Sequence, residues 1–446
     1  MKRIPLVILL IIVPVIVRGQ VVMTLEECVR LAEENNRQIE ASKQQLLSAR
    51  YEYHSAKALF FPSFSLSGNI LYSTSEGSYS SGSGLLPVLG ANGIPTGQAA
   101  FFPGLDLSYD LDWIYRGGLK MEQPLYMGGK IRAGYRMSKI GREIAGLNKR
   151  LTEAEVVVET SRAYAEVVRT QELRRVAERY HALLNELMRS VESARRHGLK
   201  SQNDVLKVKV KLDESELNLR RAENGCRLAT MNLCHYTGLP LNEQIQVDSI
   251  LPVTETVYEQ ETNICNRPEY LILEQKVGLA RQQVTMARSE YLPQVGLVGQ
   301  YGYTNGLELN GRKLFDDWNF LVGVQLSVPV FDFGHRMNKI KAAKSQYARA
   351  EAEREDINGK LMLEMTQAFN NLDEAFLERN LAESSLVSAE ENLRTSRLQY
   401  EKGMEALSDY LEAQTLWQQA FQTQVNARVN CYLKRLEYLQ TIGKIR

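Results

Sequence analysis

The sequence predicts a mainly α fold, internally duplicated, made of long coiled-coil helical hairpins with a pair of amphipathic β-strands in each half. Three observations lead there. The stretch from Ile131 to about Arg196 holds no proline and almost no turn signal, so it reads as one helix of roughly 65 residues and about 100 Å, and a second of similar length runs from about Arg336 to Tyr400. Four short runs alternate apolar and polar residues with a period of two. Landmarks of the first half recur in the second at fixed offsets: Pro62 with Pro293 at about 231, Pro124 with Pro329 and Gly198 with Gly403 at about 205, and one insertion of about 26 residues after the first strand reconciles the two.

Taken in order, Met1-Lys2-Arg3, the apolar run Ile4 to Val17 and Arg18-Gly19 have the form of a secretory signal over residues 1–19. No cysteine stands at that boundary, so lipidation there is not expected. The first repeat is placed at 20–237. Thr24-Leu25-Glu26-Glu27 is a capping box that opens a helix, with a break at Asn35-Asn36, and Phe61-Pro62 ends it because proline disfavours a helical residue before it. Phe64, Leu66, Gly68, Ile70 and Tyr72 alternate with Ser63, Ser65, Ser67 and Asn69, giving a strand over 63–72. Ser73 to Gly104, rich in Gly, Ser, Asn and Pro, reads as a long surface loop. Leu111, Trp113, Tyr115, Leu119 and Met121 mark a second strand over 111–123, closed by Pro124. The long helix from Ile131 then turns at Gly198 and returns from about Ser201 to Tyr236.

Residues 238–265 read as a connecting, equatorial region, and Asn266-Arg267-Pro268-Glu269 restarts the pattern as a second repeat over 266–442, with 443–446 as a tail. A helix reaches Tyr291-Leu292-Pro293, and strands follow at 294–304 and 319–328 with a loop from Asn305 to Asp317 between them. In the long helix that follows, Ala382, Leu386, Ala389, Leu393, Ser396 and Tyr400 form a seam with alternating spacings of four and three. Gly403 stops it, Ser408 is a candidate cap for the last helix, and Asp409 and Glu412 lie on one face of that helix. The earlier tip repeats the plan, with Gly198, Leu199 and Asp204 answering to Gly403, Met404 and Asp409. A carboxylate pair at a hairpin tip is by itself most often a solvated face.

Each strand has about the length that a tilted strand needs to cross a bilayer, and Phe64, Tyr72, Trp113, Tyr115, Tyr301, Tyr303 and Phe320 are candidates for an aromatic membrane girdle. A spanning sheet must close on itself, and four strands are too few, so several copies must share one barrel.

The Thr24 to Arg37 opening, the Asn266-Arg267-Pro268-Glu269 restart, the Phe61-Pro62 and Leu292-Pro293 junctions, the two proline-to-glycine strand-to-helix junctions and the two tips together resemble the outer-membrane efflux protein family, the TolC-like channel-tunnels, over essentially the whole mature chain. The resemblance implies a homotrimer with a twelve-stranded β-barrel in outer-membrane lipid and a periplasmic α-barrel. It implies a passive exit duct for an inner-membrane pump, RND-type or ABC-type, joined through a periplasmic adaptor protein, with the exit channel of a type I secretion system as the alternative. It also assigns a pore constriction to Tyr400, Asp409 and Glu412, with Glu405 standing where the family has a basic residue and Asp204 on the first tip, and adaptor contact to Gly198, Leu199, Gly403 and Met404.

Other classes find little support. The net charge is +1, which gives no reason to expect a nucleic-acid partner. No H-E-x-x-H, G-x-S-x-G, complete phosphate loop or dinucleotide fingerprint is present, so neither an enzyme nor a cofactor is expected. The five cysteines have no C-x-x-C spacing and read as packing residues. A periplasmic coiled-coil scaffold without a pore shares the helices but has no need of the amphipathic strands.

Overall fold

The computed structural model of the protein describes residues 22–248, 251, 260–306, 308–313 and 316–445; the signal and much of the connecting region lie outside them. The chain divides into two compact units, one of Met1–Leu47, Glu143–Gln275 and Ala352–Arg446, the other of Ser48–Arg142 and Lys276–Glu351.

Helices α1 (Leu25–Asn35), α2 (Arg37–Ala58), α3 (Lys130–Arg196), α4 (Gln202–Thr237), α5 (Pro268–Ser289), α6 (His335–Glu401) and α7 (Leu407–Thr441) fall where the apolar spacing and the prolines place them. The Thr24 capping box forms: the Glu27 amide donates to Thr24 Oγ1 at 3.3 Å, and the Thr24 amide donates to the Glu27 carboxylate at 3.0 Å. The expected break is real, since Asn36 is extended and its Oδ1 accepts the Gln38 amide at 2.8 Å, which starts α2.

In the first unit, Cys28 of α1, Tyr164, Val167 and Val168 of α3, Leu233 and Cys234 of α4 and Val429 and Tyr432 of α7 share one buried core. Beside it β1 (Val22–Met23) pairs in parallel with β6 (Gln246–Val247). Burial pushes the Cys28 thiol up to about 12, with Glu27 and Cys234 adding to the effect, so it stays protonated and serves as an apolar packing group. The restart at Asn266 is fastened by Arg267, only 3% exposed, whose guanidinium meets Glu269 at 3.2 Å and Glu364 of α6 at 3.0 Å. A buried guanidinium must keep both partners, because removing one leaves an uncompensated charge.

The second unit carries the sheet. Strands β2 (Ser63–Ser81), β5 (Leu105–Met127), β7 (Gln294–Asn305) and β10 (Asp317–Ser327) pair antiparallel, β2 on β5, β5 on β7 and β7 on β10. Two sequence expectations need correction here. The first two strands extend well beyond 63–72 and 111–123, and Ser73 to Gly104 is not a loop: β2 and β5 stay paired out to Ser81 and Leu105, and β3 (Gly84–Leu89) then pairs with β4 (Pro95–Phe102). Ladder hydrogen bonds between partners far apart in sequence override the poor strand propensity of Gly and Ser. Pro124 accordingly lies inside β5, at an irregularity in the ladder, rather than closing it. The loop from Asn305 to Asp317 likewise contains a small hairpin, β8 (Glu308–Leu309) and β9 (Arg312–Lys313), with β8 joined to β5.

Register sorts the sheet into two faces. Leu66, Leu119, Tyr301 and Phe320 stand opposite one another across all four strands, as do Phe64, Met121, Gly299 and Val322. The intervening rows run Ser65, Lys120, Gln300, Leu321 and Asn69, Arg116, Thr304, Asp317. One face is therefore an apolar lane and the other largely polar.

Close approach of β5 and β7 depends on glycine. A Cβ on Gly302 would lie 2.6 Å from the Gly117 carbonyl oxygen and 2.9 Å from Gly118 Cα, both backbone atoms that cannot step aside. Gly302→Val is expected to cost about 1–3 kcal/mol through overpacking and to lower the unfolding temperature of the sheet in detergent. Gly323→Ala, with nothing within 4 Å of its added carbon, serves as the neutral control.

Candidate functional site

Two regions hold the residues singled out from sequence: the hairpin tips and the lanes of the sheet. At the first tip Gly198 takes φ 76° and at the second Gly403 takes φ 73°, a left-handed conformation that side chains other than glycine's rarely adopt. The hydrogen bonds match one for one. The Leu199 amide donates to Ala194 O and the Gly198 amide to Arg195 O, each at 2.9 Å; the Met404 amide donates to Gln399 O at 2.9 Å and the Gly403 amide to Tyr400 O at 3.0 Å. Both turns push an apolar side chain outward, Leu199 at 77% exposure and Met404 at 68%.

Beyond the turn the two tips differ. Ser201 caps α4 and Asp204 completes the box, its carboxylate accepting the Ser201 amide at 3.0 Å and hydroxyl at 2.8 Å. Those two bonds hold the Asp204 carboxyl below the usual carboxylate range. On α7 the cap position is Ala406, which offers no side-chain bond, so the expected cap at Ser408 is wrong. Buried Leu407 fixes the start of the helix, leaving Ser408 within its first turn, where its hydroxyl donates to Asp409 at 2.9 Å. Asp409 and Glu412 are both exposed, one turn apart.

The tips pack together through Tyr180, Leu184, Leu187 and Val191 of α3, Val205 and Val208 of α4, and Leu407, Tyr410, Leu411 and Trp417 of α7, with Leu386, Leu393 and Tyr400 of the predicted seam against them. Tyr400 stacks on Tyr410, ring centroids 5.0 Å apart, and the Lys200 ammonium stands 4.8 Å from the Tyr400 ring centre. Burial, then the charge of Asp204 and the neighbouring Tyr410, raise the Tyr400 hydroxyl, so it remains neutral and able to donate. Glu405 does not reach a base: its carboxylate accepts the Ser396 hydroxyl at 2.7 Å. Arg397 bridges Glu401 at 2.9 Å and Glu186 of α3 at 3.5 Å.

Sequence reading grouped Tyr400, Glu405 and Asp204 correctly at one place and missed Lys200 and Tyr410. A signal for Lys200 existed, since the offset of about 205 that relates the tips places it opposite Glu405, the position without a base. Tyr410 offered none, because only the return of α7 brings it to Tyr400.

In the sheet the apolar lane is uncovered by the chain's own side chains: Leu66 is 83% exposed and Phe320 74%. Tyr72 lies on Trp113 at 5.0 Å between centroids, Trp113 on Tyr115 at 6.4 Å and Tyr301 on Trp318 at 5.2 Å. Phe64 sits at the helix end of its strand, whereas Tyr72 and Trp113 stand in the middle of the lengthened β2–β5 ribbon rather than at strand ends. A further set went unread. Phe61, Tyr126, Tyr291, Phe331 and Phe333, at the junctions of strands with helices, are all exposed, and Phe331 meets Phe333 at 4.7 Å. Among the described residues no helix is long and apolar enough to cross a membrane.

Comparison with known proteins agrees with this geometry. The model of the outer membrane efflux protein family matches residues 28–239 and 261–442. Outer membrane protein TolC of Escherichia coli is 25% identical over 267 residues, 56% of this chain and 53% of TolC, so the match spans about half the length of that relative. Among solved structures, the Campylobacter jejuni CmeC outer membrane channel superposes with a TM-score of 0.77 at 18% identity, over 94% of this chain and 85% of that one. VceC of Vibrio cholerae gives 0.75 at 16% identity, over 94% and 96%. These likenesses in fold are to channel proteins and not to enzymes. With the family model covering both halves, the chain belongs to the outer membrane efflux protein family and is a protein of the outer membrane that extends into the periplasm.

Proposed function

We propose that three copies of this chain form the exit duct of a tripartite export system, a twelve-stranded barrel continuous with a periplasmic helical tube, which passively conducts what an inner-membrane pump delivers through a periplasmic adaptor. The single observation that carries this reading is the four-stranded sheet with an exposed apolar face and no partner on the outer edges of β2 and β10 among the described residues. Neither edge is blunted within its lane by proline or by a run of charge, so each invites another strand. In hydrocarbon every backbone group must be paired, which a ring of repeated four-stranded sheets achieves and a single copy does not.

Dimensions support it. Phe61 and Tyr72 are about eleven residues apart on one strand, roughly 36 Å along it and roughly 28 Å in height at a tilt of ~40°, close to the thickness of a bilayer's apolar core. The junction aromatics and the Tyr72, Trp113 and Tyr115 group then serve as the two interfacial girdles. Leu206, Val210, Leu217 and Leu228 of α4 and Leu363, Leu377, Leu381 and Val387 of α6, all more than half exposed, are apolar positions that neighbouring copies would cover.

At the tips, Asp409 and Glu412 repeated by three-fold symmetry make a ring of carboxylates that favours cations. Lys200 over Tyr400 takes the place of the missing base at Glu405, clamping the second hairpin to the first within one chain. Exposed Leu199 and Met404, with Gly198 and Gly403 shaping their turns, form the adaptor contact. We adopt efflux over protein secretion because the matching family is that of efflux proteins.

Three measurements check the reading. Asp409→Ala with Glu412→Ala is expected to raise single-channel conductance in planar bilayers and to reduce cation selectivity; unchanged values for both would reject the constriction. Lys200→Met removes about 0.5–1 kcal/mol of cation–π attraction, so the open fraction should rise roughly two- to five-fold with assembly intact. Leu66→Arg on the apolar face is expected to cost about 2–4 kcal/mol and to deplete the assembled protein in outer-membrane fractions, while Ser67→Arg on the polar face leaves assembly unchanged.

A further inference from the structure

From Gly77 to Leu105 the chain has no charged residue. Within this stretch β3 and β4 form a ribbon of their own, Leu85 opposite Phe101 on one face and Leu86 opposite Ala100 on the other, closed by a turn in which the Gly93 amide donates to Gly90 O at 2.9 Å. Both faces are apolar and open: Leu85 is 70% exposed, Leu86 53%, Ile94 63% and Phe101 69%. A lone two-stranded ribbon is marginal in water even with one apolar face, so something must cover it.

Membrane hydrocarbon is poorly placed to do so. Between the aromatic level at Tyr72 and the ribbon, β2 runs on through Ser73, Thr74, Ser75, Glu76, Ser78, Ser80 and Ser81, paired with a segment of β5 that carries Asp106 and Asp110. That polar ribbon is about nine residues or roughly 30 Å long, so the hairpin emerges well clear of the apolar core. Continuity points instead to other copies of this chain. β2 is an outer strand of the sheet, the side on which the next copy must add, and β3 follows it after only Gly82 and Ser83. The neck bends there: Gly104 takes φ 83°, and a Cβ on it would stand 2.4 Å from Ser81 O. Reach also fits, since a ribbon of six to eight residues spans roughly 20–26 Å, and a twelve-stranded cylinder has a radius of only about 12–15 Å.

We propose that the β3–β4 hairpin is a self-association surface: the hairpins of neighbouring copies pack their apolar faces on one another across the outer mouth of the barrel and narrow it. The inference rests on the trimeric barrel proposed above, and the experiment separates the two. Benzoylphenylalanine replacing Phe101 in the full chain, irradiated in isolated outer membranes, is expected to give chain-to-chain products between hairpins. Leu86→Glu with Phe101→Glu should raise single-channel conductance at least two-fold while the trimer persists in native gels. A trimer whose probe links only to lipid or to a different protein, or whose conductance ignores the two glutamates, overturns the hairpin assignment alone; a chain that remains monomeric in detergent overturns the barrel and the hairpin cap together.

Discussion

An apolar lane that runs unbroken across four paired strands, ending on two unpaired edges, is the constraint on which the rest of this protein depends. In water the lane exposes too much apolar surface; in lipid the edges expose backbone groups without partners. Closure by repetition resolves both at once, and it dictates that the chain work as several copies around an axis. The long helices share that dependence, because the apolar positions they leave bare on α4 and α6 suit neighbours of the same kind.

The tips show how one plan, used twice, comes to serve different ends. Their glycine turns are alike hydrogen bond for hydrogen bond. The first is reinforced by Ser201 and Asp204; the second, with Ala406 at the cap, lacks that reinforcement and is held by the stack of Tyr400 on Tyr410 beneath Lys200. A cap is a local device that steadies one helix, worth about 1 kcal/mol, whereas a stacked pair under an ammonium ties one hairpin to another. The less reinforced α7 start is therefore the end whose position depends on its neighbour, which suits a movable constriction better than a fixed one.

Much of the architecture was legible because its signals are periodic or punctual. The proline-free run of α3, the Thr24 box, the Asn36 break and the Pro62 and Pro293 junctions act through a few neighbouring residues, and each element lies where they put it. The apolar lanes were legible too, since alternation within a strand fixes which side chains share a face. Boundaries set by pairing were not: the extension of β2 to Ser81 and the β3–β4 ribbon sit in Gly- and Ser-rich sequence, and only partners many residues away keep them extended. The Ser408 cap failed for a similar reason, since burial of Leu407 against the other hairpin decides where α7 begins.

By itself the sequence determined the long helices, their caps and turns, the two-faced strands and the place of the tips, because hydrogen bonding and burial within a helix or along a strand follow from residues a few positions apart. Only the tertiary structure decided the register that aligns Leu66, Leu119, Tyr301 and Phe320, the glycine contact of β5 with β7, and the meeting of Lys200, Tyr400 and Tyr410. Those depend on which distant segments come to lie side by side, and no local preference carries that information.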